Sequence, residues 1–175
     1  KRFDVIVAGD VFGAFTPKEG EQQHFAAVGL GTGAAACYVL PQRDVTFFEI
    51  DPEVIRIARD PNFFRYLTSC GQRDGIVLGD ARLTLAQQPA GTFDMLAIDA
   101  FSSDSIPLHL LTKEAFEVYR RALKPDGLLL VHISNRHFDL NPVIAAEAAS
   151  GKWFAALRHD SPPTASVDQG MRPSQ

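Results

Sequence analysis

Three carboxylates, Glu49, Asp80 and Asp99, each follow a short apolar run and precede a turn or a helix start. Glu49 closes the run Val45-Thr-Phe-Phe-Glu and is placed for a bidentate hydrogen bond to ribose hydroxyls. The plainer alternative is a surface acid beside a helix N-terminus. Asp80, in Gly79-Asp80-Ala81, can accept from the exocyclic amine of an adenine with the Ala81 backbone alongside, or simply cap the helix starting at Ala81. Asp99 ends the apolar run Phe93 to Ile98, where a desolvated carboxylate is costly unless it meets a cation or hydrogen-bond donors. A cationic substrate would satisfy it; the competing reading is a turn-forming Asp that bonds its own backbone.

These acids are spaced around a glycine turn. Phe25-Ala-Ala-Val-Gly-Leu-Gly-Thr-Gly-Ala34 is an apolar run that breaks at Gly29, Gly31, Thr32 and Gly33 and resumes rich in alanine. Strand, tight turn and helix N-terminus in that order bring backbone close to a nucleotide. The pattern alone is ambiguous, because Gly29, Gly31 and Ala34 also fit a dinucleotide fingerprint with Glu49 twenty residues past Gly29. Nicotinamide cofactors and adenosyl-sulfonium compounds both remain open at this point.

The elements that must position these groups alternate. Phe3, Val5 and Val7 make a strand with one apolar face. A polar loop from Thr16 to His24 leads into the strand that ends at the glycines, and a helix is expected from Gly33 to Leu40, stopped by Pro41. The strand ending near Ile50 is followed by Asp51-Pro52-Glu53, an N-cap acid and a first-turn proline, and the helix turns Val54, Ile55, Ile57 and Ala58 inward. Asp60 to Asp74 reads as a continuing helix over the ligand. Strands at Ile76–Leu78 and Phe93–Ile98 enclose a helix through Leu83 and Leu85. A lid from Ala100 then precedes a helix from Thr112, as cap, to Leu123. The turn Lys124-Pro-Asp-Gly127 feeds a strand from Leu128 to Ile133, then a helix from Pro142 to Ser150, a strand from Trp153 to Leu157 and a disordered tail.

Strands and helices in this alternation predict an α/β fold: a Rossmann-like, open, mostly parallel sheet with helices on both faces. In such sheets the ligand lies beyond the carboxyl ends of the strands, where strand order reverses. The glycine turn, Glu49, Asp80 and Asp99, with Ser134 and Asn135, are therefore the expected functional positions. His132 reads as a satisfied core or cleft histidine, and His109 and His137 as loop residues without an evident partner. Ser102 and Ser103 lack a triad context and read as lid hydrogen-bonders.

With 175 residues, 46% of them hydrophobic and 22% charged, the chain supports one globular domain with a sizeable core. A net charge of −4 argues against nucleic acid as partner. Cys37 and Cys70 form no CxxC pair and have no histidine at ligand spacing, so no metal is expected and buried, reduced thiols are the default. No stretch approaches the ~20 apolar residues that span a bilayer, and the first residues carry no signal-peptide pattern. A cytoplasmic location without membrane contact by this segment is the simplest expectation.

Five ordered motifs carry a resemblance: Gly29-Leu-Gly-Thr-Gly33; Phe48-Glu-Ile-Asp-Pro52; Gly79-Asp-Ala81; Ile98-Asp-Ala-Phe-Ser-Ser-Asp-Ser-Ile-Pro107 with His109-Leu-Leu-Thr112; and Leu123-Lys-Pro-Asp-Gly127. Over about Val28 to Leu140 the chain resembles the catalytic domain of spermidine synthases, and more closely the bacterial spermidine-synthase-like proteins often fused to transporter segments. That domain shares its fold with class I S-adenosylmethionine-dependent methyltransferases, which turns the nucleotide reading away from NAD.

The resemblance implies transfer of an aminopropyl group from decarboxylated S-adenosylmethionine to a polyamine such as putrescine, leaving methylthioadenosine and needing no metal. Glu49 would hold the ribose and Asp80 the adenine amine, with Gly29, Gly31, Thr32, Gly33 and Ala81 completing the donor site. Asp99 would be the base. Asp104, with Ser102 and Ser103, would hold the amine, although Asp99-Ala-Phe-Ser-Ser-Asp104 is two residues longer between the acids than the family's short form.

Two departures keep other functions open. Where the synthases carry an acid that grips the donor's free amine, this chain has Thr32, which leaves S-adenosylmethionine itself as donor and methyl transfer to a small nucleophile as an alternative. The family's β-rich N-terminal segment, which supplies acceptor contacts and much of its homodimer interface, is missing or reduced to the residues before His24. A non-catalytic nucleoside-binding domain therefore also stands. The expected organisation is an N-terminal extension over 1–23, a catalytic domain over 24–160 and a tail over 161–175, with truncation at both ends.

Overall fold

The computed structural model describes residues 4–7, 20–38, 43–70, 74–100, 106–133, 139–151 and 153–157. Seven strands form one sheet: β1 (Asp4–Val7), β2 (Gln23–Val28), β3 (Arg43–Glu49), β4 (Asp74–Leu78), β5 (Phe93–Ile98), β6 (Leu123–Val131) and β7 (Phe154–Leu157). Their order is β4-β3-β2-β5-β6-β1-β7, and every pairing is parallel. From β2 the chain builds outward through β3 to β4, then returns to the other side of β2 with β5 and β6. The reversal of order thus falls between β2 and β5.

The strands are apolar almost continuously because both faces of a parallel sheet are covered. Phe25, Ala27, Val45, Phe47 and Met95 point to one face, where they pack with Leu30, Ala36, Ala58 and Leu67. Ala26, Val28, Phe48, Leu96 and Ile98 point to the other, against Leu85, Phe116, Tyr119 and Ile144. The first layer is supplied by α1 (Pro52–Arg59) and α2 (Tyr66–Ser69), and the second by α3 (Ala81–Ala86), α4 (Lys113–Ala122) and α5 (Asn141–Gly151).

Local chemistry sets the helix starts as expected. Asp51 accepts from Glu53 N at 2.8 Å with Pro52 in the first turn, and Thr112 Oγ1 accepts from Ala115 N at 3.3 Å. At the other end of α3, Arg121 donates to the carbonyls of Leu85, Ala86 and Gln88, which tethers α4 to the helix that begins at Asp80.

Several expectations are corrected. Among the described residues the helix after the glycine turn is a 3-10 helix, Ala34–Tyr38, and the rest of the expected span to Leu40 lies outside them. Asp60 to Cys70 is no continuous helix: Phe63 N and Phe64 N both donate to Asp60 O, the Asp60 side chain takes Asn62 N, and Tyr66–Ser69 is the helical part of the described residues before β4. Lys124-Pro-Asp-Gly127 lies within β6, as an irregularity in its register with β5, rather than as a separate turn. Asp4–Val7 runs between β6 and β7 and pairs with both. A four-residue alternating run carries no information about which sheet it joins. The expected tail lies outside the described residues.

The cysteines are also corrected. Cys37, exposed at the end of the 3-10 helix, and Cys70, at the end of α2, form a disulfide instead of remaining reduced. The two are 33 residues apart, and only the packing of the 3-10 helix on α2 brings them together. Closing a loop of that length in the unfolded chain is worth roughly 3–4 kcal/mol in the chain-entropy account. Reduction with dithiothreitol is therefore expected to lower the denaturation midpoint clearly, and a Cys37→Ser/Cys70→Ser double variant should show the same midpoint with or without reductant.

Candidate active site

At the carboxyl edge of the sheet, backbone hydrogen bonds continue one residue beyond the strands. Gly79 N donates to Glu49 O at 2.8 Å, Gly29 N to Phe48 O at 2.9 Å, Asp99 N to Val28 O at 2.9 Å and His132 N to Ile98 O at 3.0 Å. Glu49, Gly29, Asp99 and His132 therefore stand in one row on adjacent strand ends. Gly29 has φ +97°, and a Cβ there would lie 2.5 Å from the Asp99 carbonyl oxygen. Only glycine lets the turn come this close to the end of β5. A Cβ on Gly33, at φ +82°, would meet the Leu67 side chain at 2.7 Å, so the far side of the turn rests on α2.

Beyond these strand ends lies an open cleft of about 360 Å³, lined by Gly29, Glu49, Ile50, Ala81, His109 and Leu110 among others. Glu49 is buried, with Oε2 accepting from Leu30 N and Oε1 from Asp51 N, each at 2.9 Å. Its carboxylate is thus held rigidly between the glycine turn and the start of α1, and each oxygen keeps a second lone pair for a ligand hydroxyl. Ile50, by contrast, is 64% exposed at the cleft wall, an apolar side chain suited to cover a flat ring. Above Gly31 the position of a Cβ meets nothing within 4 Å, which leaves room for a ligand to approach the turn.

Of the two roles open to Asp80, the helix cap is the one seen. Its Oδ1 accepts from Leu83 N at 3.2 Å and caps α3, while Oδ2 lies 3.3 Å from His109 Nε2. His109 is carried by a 3-10 helix, Leu108–Leu110, after Pro107. This turn is pinned from below: Tyr119 OH donates to Leu110 O at 2.9 Å inside the core. Burial pushes the Tyr119 phenol well above its ordinary range, with the nearby Asp80 charge adding to it, so the group stays a neutral donor.

Asp99 has an exposed side chain, and its Oδ1 lies 2.6 Å from Nδ1 of His132, which is about one-third exposed. Sequence reasoning missed this contact because it extends the last central strand to Ile133. The strand ends at Val131, so His132 occupies the first position beyond it, equivalent to Asp99 on β5. His109 was missed because its partner Asp80 is distant in sequence and brought near only by the fold. Of the expected site residues, Gly29, Glu49 and Ala81 line the cleft; Asp80 borders it through His109; Asp99 sits immediately before the lining residue Ala100. Gly31, Thr32 and Gly33 follow on the turn outside that lining. Ser102, Ser103, Asp104, Ser134 and Asn135 lie outside the described residues. Among the described residues no cluster of His, Cys, Asp and Glu is arranged to hold a metal ion, and no helix is long and apolar enough to cross a membrane.

An open parallel sheet whose central strands run β4-β3-β2-β5-β6, with acids beyond its carboxyl edge, is the Rossmann-like fold of S-adenosylmethionine-dependent methyltransferases. Within that class, the chain is a distant homologue of the polyamine aminopropyltransferases. It is 30% identical over 123 residues to the polyamine aminopropyltransferase of Vibrio vulnificus, which covers 67% of this chain and 39% of that protein. The crystal structure of a probable spermidine synthase from Corynebacterium glutamicum superimposes with a TM-score of 0.60 at 27% identity, over 73% of this chain and 45% of that one. Spermidine synthase from Thermotoga maritima shares the fold with a TM-score of 0.62 at 20% identity, over 75% of this chain and 45% of that one. No family model matches the chain. The chain spans less than half the length of the curated relatives it matches.

Replacing Tyr119 by Phe removes the donor from a buried carbonyl at the base of the His109 turn, at a cost of about 1–3 kcal/mol. Urea denaturation is expected to show that loss.

Proposed function

We propose that this chain is a spermidine synthase-like transferase domain that moves an aminopropyl group from decarboxylated S-adenosylmethionine to a polyamine acceptor such as putrescine. The observation that supports this reading is that Glu49 and Ala81 line one cleft beyond the strand ends, with Asp80 at the start of α3 beside it and Asp99 next to the lining residue Ala100. Homology to aminopropyltransferases supports it. In this reading Glu49 holds the ribose hydroxyls, Ile50 covers the adenine, and Asp80 with the Ala81 backbone meets the adenine edge. The glycine turn at Gly29, Gly31, Thr32 and Gly33 passes close to the donor. Asp104, Ser102 and Ser103 are proposed to hold the acceptor.

The chemistry asks little else of the protein. A sulfonium carbon is already activated, so the site must hold an amine in line with the carbon–sulfur bond. Alkylamines with a pKa near ~10.4 are almost wholly protonated at neutral pH, so a base must take the proton before or as nitrogen attacks. Asp99 is assigned that role. Carboxylates beside the amine also reduce repulsion between the acceptor and the sulfonium, both cationic.

Thr32 favours a second reading, methyl transfer from S-adenosylmethionine, because the acid that grips the aminopropyl amine in the synthases is absent from that position. The product separates the two. Aminopropyl transfer leaves methylthioadenosine, whereas methyl transfer leaves S-adenosylhomocysteine.

Calorimetry with S-adenosylmethionine, its decarboxylated form and methylthioadenosine is expected to show preference for the latter two; equal or absent binding of all three would sink the aminopropyl reading. In the transfer assay, Asp99→Asn is expected to reduce methylthioadenosine release by about 10²–10⁴-fold with nucleoside affinity nearly unchanged. Near-normal turnover would remove Asp99 from its role as base.

A further inference from the structure

The glycine turn is held by little local structure of its own. After it comes a five-residue 3-10 helix, Ala34–Tyr38, and the element it rests on, α2, has four residues. Segments this short do not keep a helical conformation by themselves in water. Their order comes from what they are tied to, and the covalent tie among the described residues is the Cys37–Cys70 disulfide.

A track of hydrogen bonds leads from that disulfide to the cleft. One residue before Cys37, Ala36 N donates to Gly33 O at 3.0 Å; Gly33 N donates to Leu30 O at 2.9 Å; Leu30 N donates to Glu49 Oε2 at 2.9 Å. On the other side, three residues before Cys70, buried Leu67 lies against Gly33, where a Cβ would come within 2.7 Å of it. Cys70 N donates to Tyr66 O at 2.8 Å, so the cysteine belongs to the same helical turn as Leu67. The disulfide thus closes a ring of contacts through Gly33, and the track ends at the carboxylate that lines the cleft. Cys37 is exposed and Cys70 half-buried, which leaves the bond within reach of a dithiol in solution.

We propose that the Cys37–Cys70 bond is a redox latch on the glycine turn. Oxidised, it holds residues 29–33 and the Glu49 carboxylate in the arrangement that takes a nucleoside; reduced by a dithiol, it lets the turn and α2 part, and affinity falls. In the reductive step a thiolate of the dithiol attacks Cys37 Sγ, the sulfur–sulfur bond breaks, and Cys70 leaves as a thiolate that takes up a proton. The reagent's second thiol then displaces Cys37 from the mixed disulfide. Two electrons and two protons pass to the protein, and the dithiol ends as its own disulfide. The latch rests on the reading of the cleft as a nucleoside site and adds control of that site by a thiol–disulfide couple.

Hydrogen exchange on the ligand-free chain tests the latch without reference to activity. Reduction with dithiothreitol, at a temperature where circular dichroism shows both forms folded, is expected to speed exchange of the Leu30, Gly33 and Ala36 amides by about tenfold or more and to leave the β5 and β6 amides unchanged. Equal exchange at the turn in the two forms, or loosening spread evenly over the sheet, would overturn the latch, as would two titratable thiols in the denatured, air-exposed chain. Calorimetry with methylthioadenosine is expected to give about tenfold weaker binding after reduction, since apparent affinity falls with the fraction of chains in the competent arrangement. Reoxidation should restore it, and the Cys37→Ser/Cys70→Ser variant should bind like the reduced form with or without reductant. Equal affinity in the oxidised and reduced forms would leave the disulfide a structural bond alone. Faster exchange at the turn on reduction, with no nucleoside bound by either form, would instead overturn the donor-site reading, and the control of binding with it.

Discussion

The site depends on a row of backbone hydrogen bonds that continues past the ends of the strands. Gly79 to Glu49, Gly29 to Phe48, Asp99 to Val28 and His132 to Ile98 are ladder bonds in all but strand assignment. They put chemistry-bearing residues on the sheet's own lattice rather than on loops. A side chain anchored in this way has its Cα fixed by two neighbouring strands. The cost of bringing β2 and β5 so close falls on Gly29, where no side chain fits.

The two layers of helices then divide the work. On one face, α1, α2 and the short 3-10 helix support the glycine turn, with Leu67 beneath Gly33 and the Cys37–Cys70 bond holding the supporting elements together. On the other, α3 and α4 build the opposite wall of the cleft. Asp80 caps α3 and meets His109, Tyr119 holds the turn that carries His109, and Arg121 ties the two helices at their far end. The cleft is apolar along most of its lining, and its carboxylate, Glu49, is already bound by two backbone donors, so it cannot swing away from a ligand.

The parallel arrangement and the rule that ligands sit beyond strand ends were legible because they follow from near neighbours in the chain. Apolar runs of strand length end in Glu49, Asp80 and Asp99, and Asp51-Pro52 and Thr112 mark helix starts whose capping bonds are made within a few residues. The same local logic failed where length was decided by packing. Residues 60–74 have a helical composition, yet Asp60 closes a turn on itself; after Gly33 the residues Ala34–Tyr38 form a 3-10 helix seated on α2. For His132, misplacing a strand end by two residues was enough to read a residue just beyond the strand as one inside it.

The sequence by itself determined the type of fold, the glycine turn and which acids end which strands, because periodicity, capping and turn chemistry are interactions over a few residues. Only the tertiary structure decided the pairs. Asp99 with His132, Asp80 with His109, Cys37 with Cys70, and Asp4–Val7 with its two partner strands are separated by about thirty residues or more, and no local pattern encodes them. They exist because parallel strands place residues remote in sequence a single strand spacing apart, and because the helices that cross between strands bring their ends back to the same edge of the sheet.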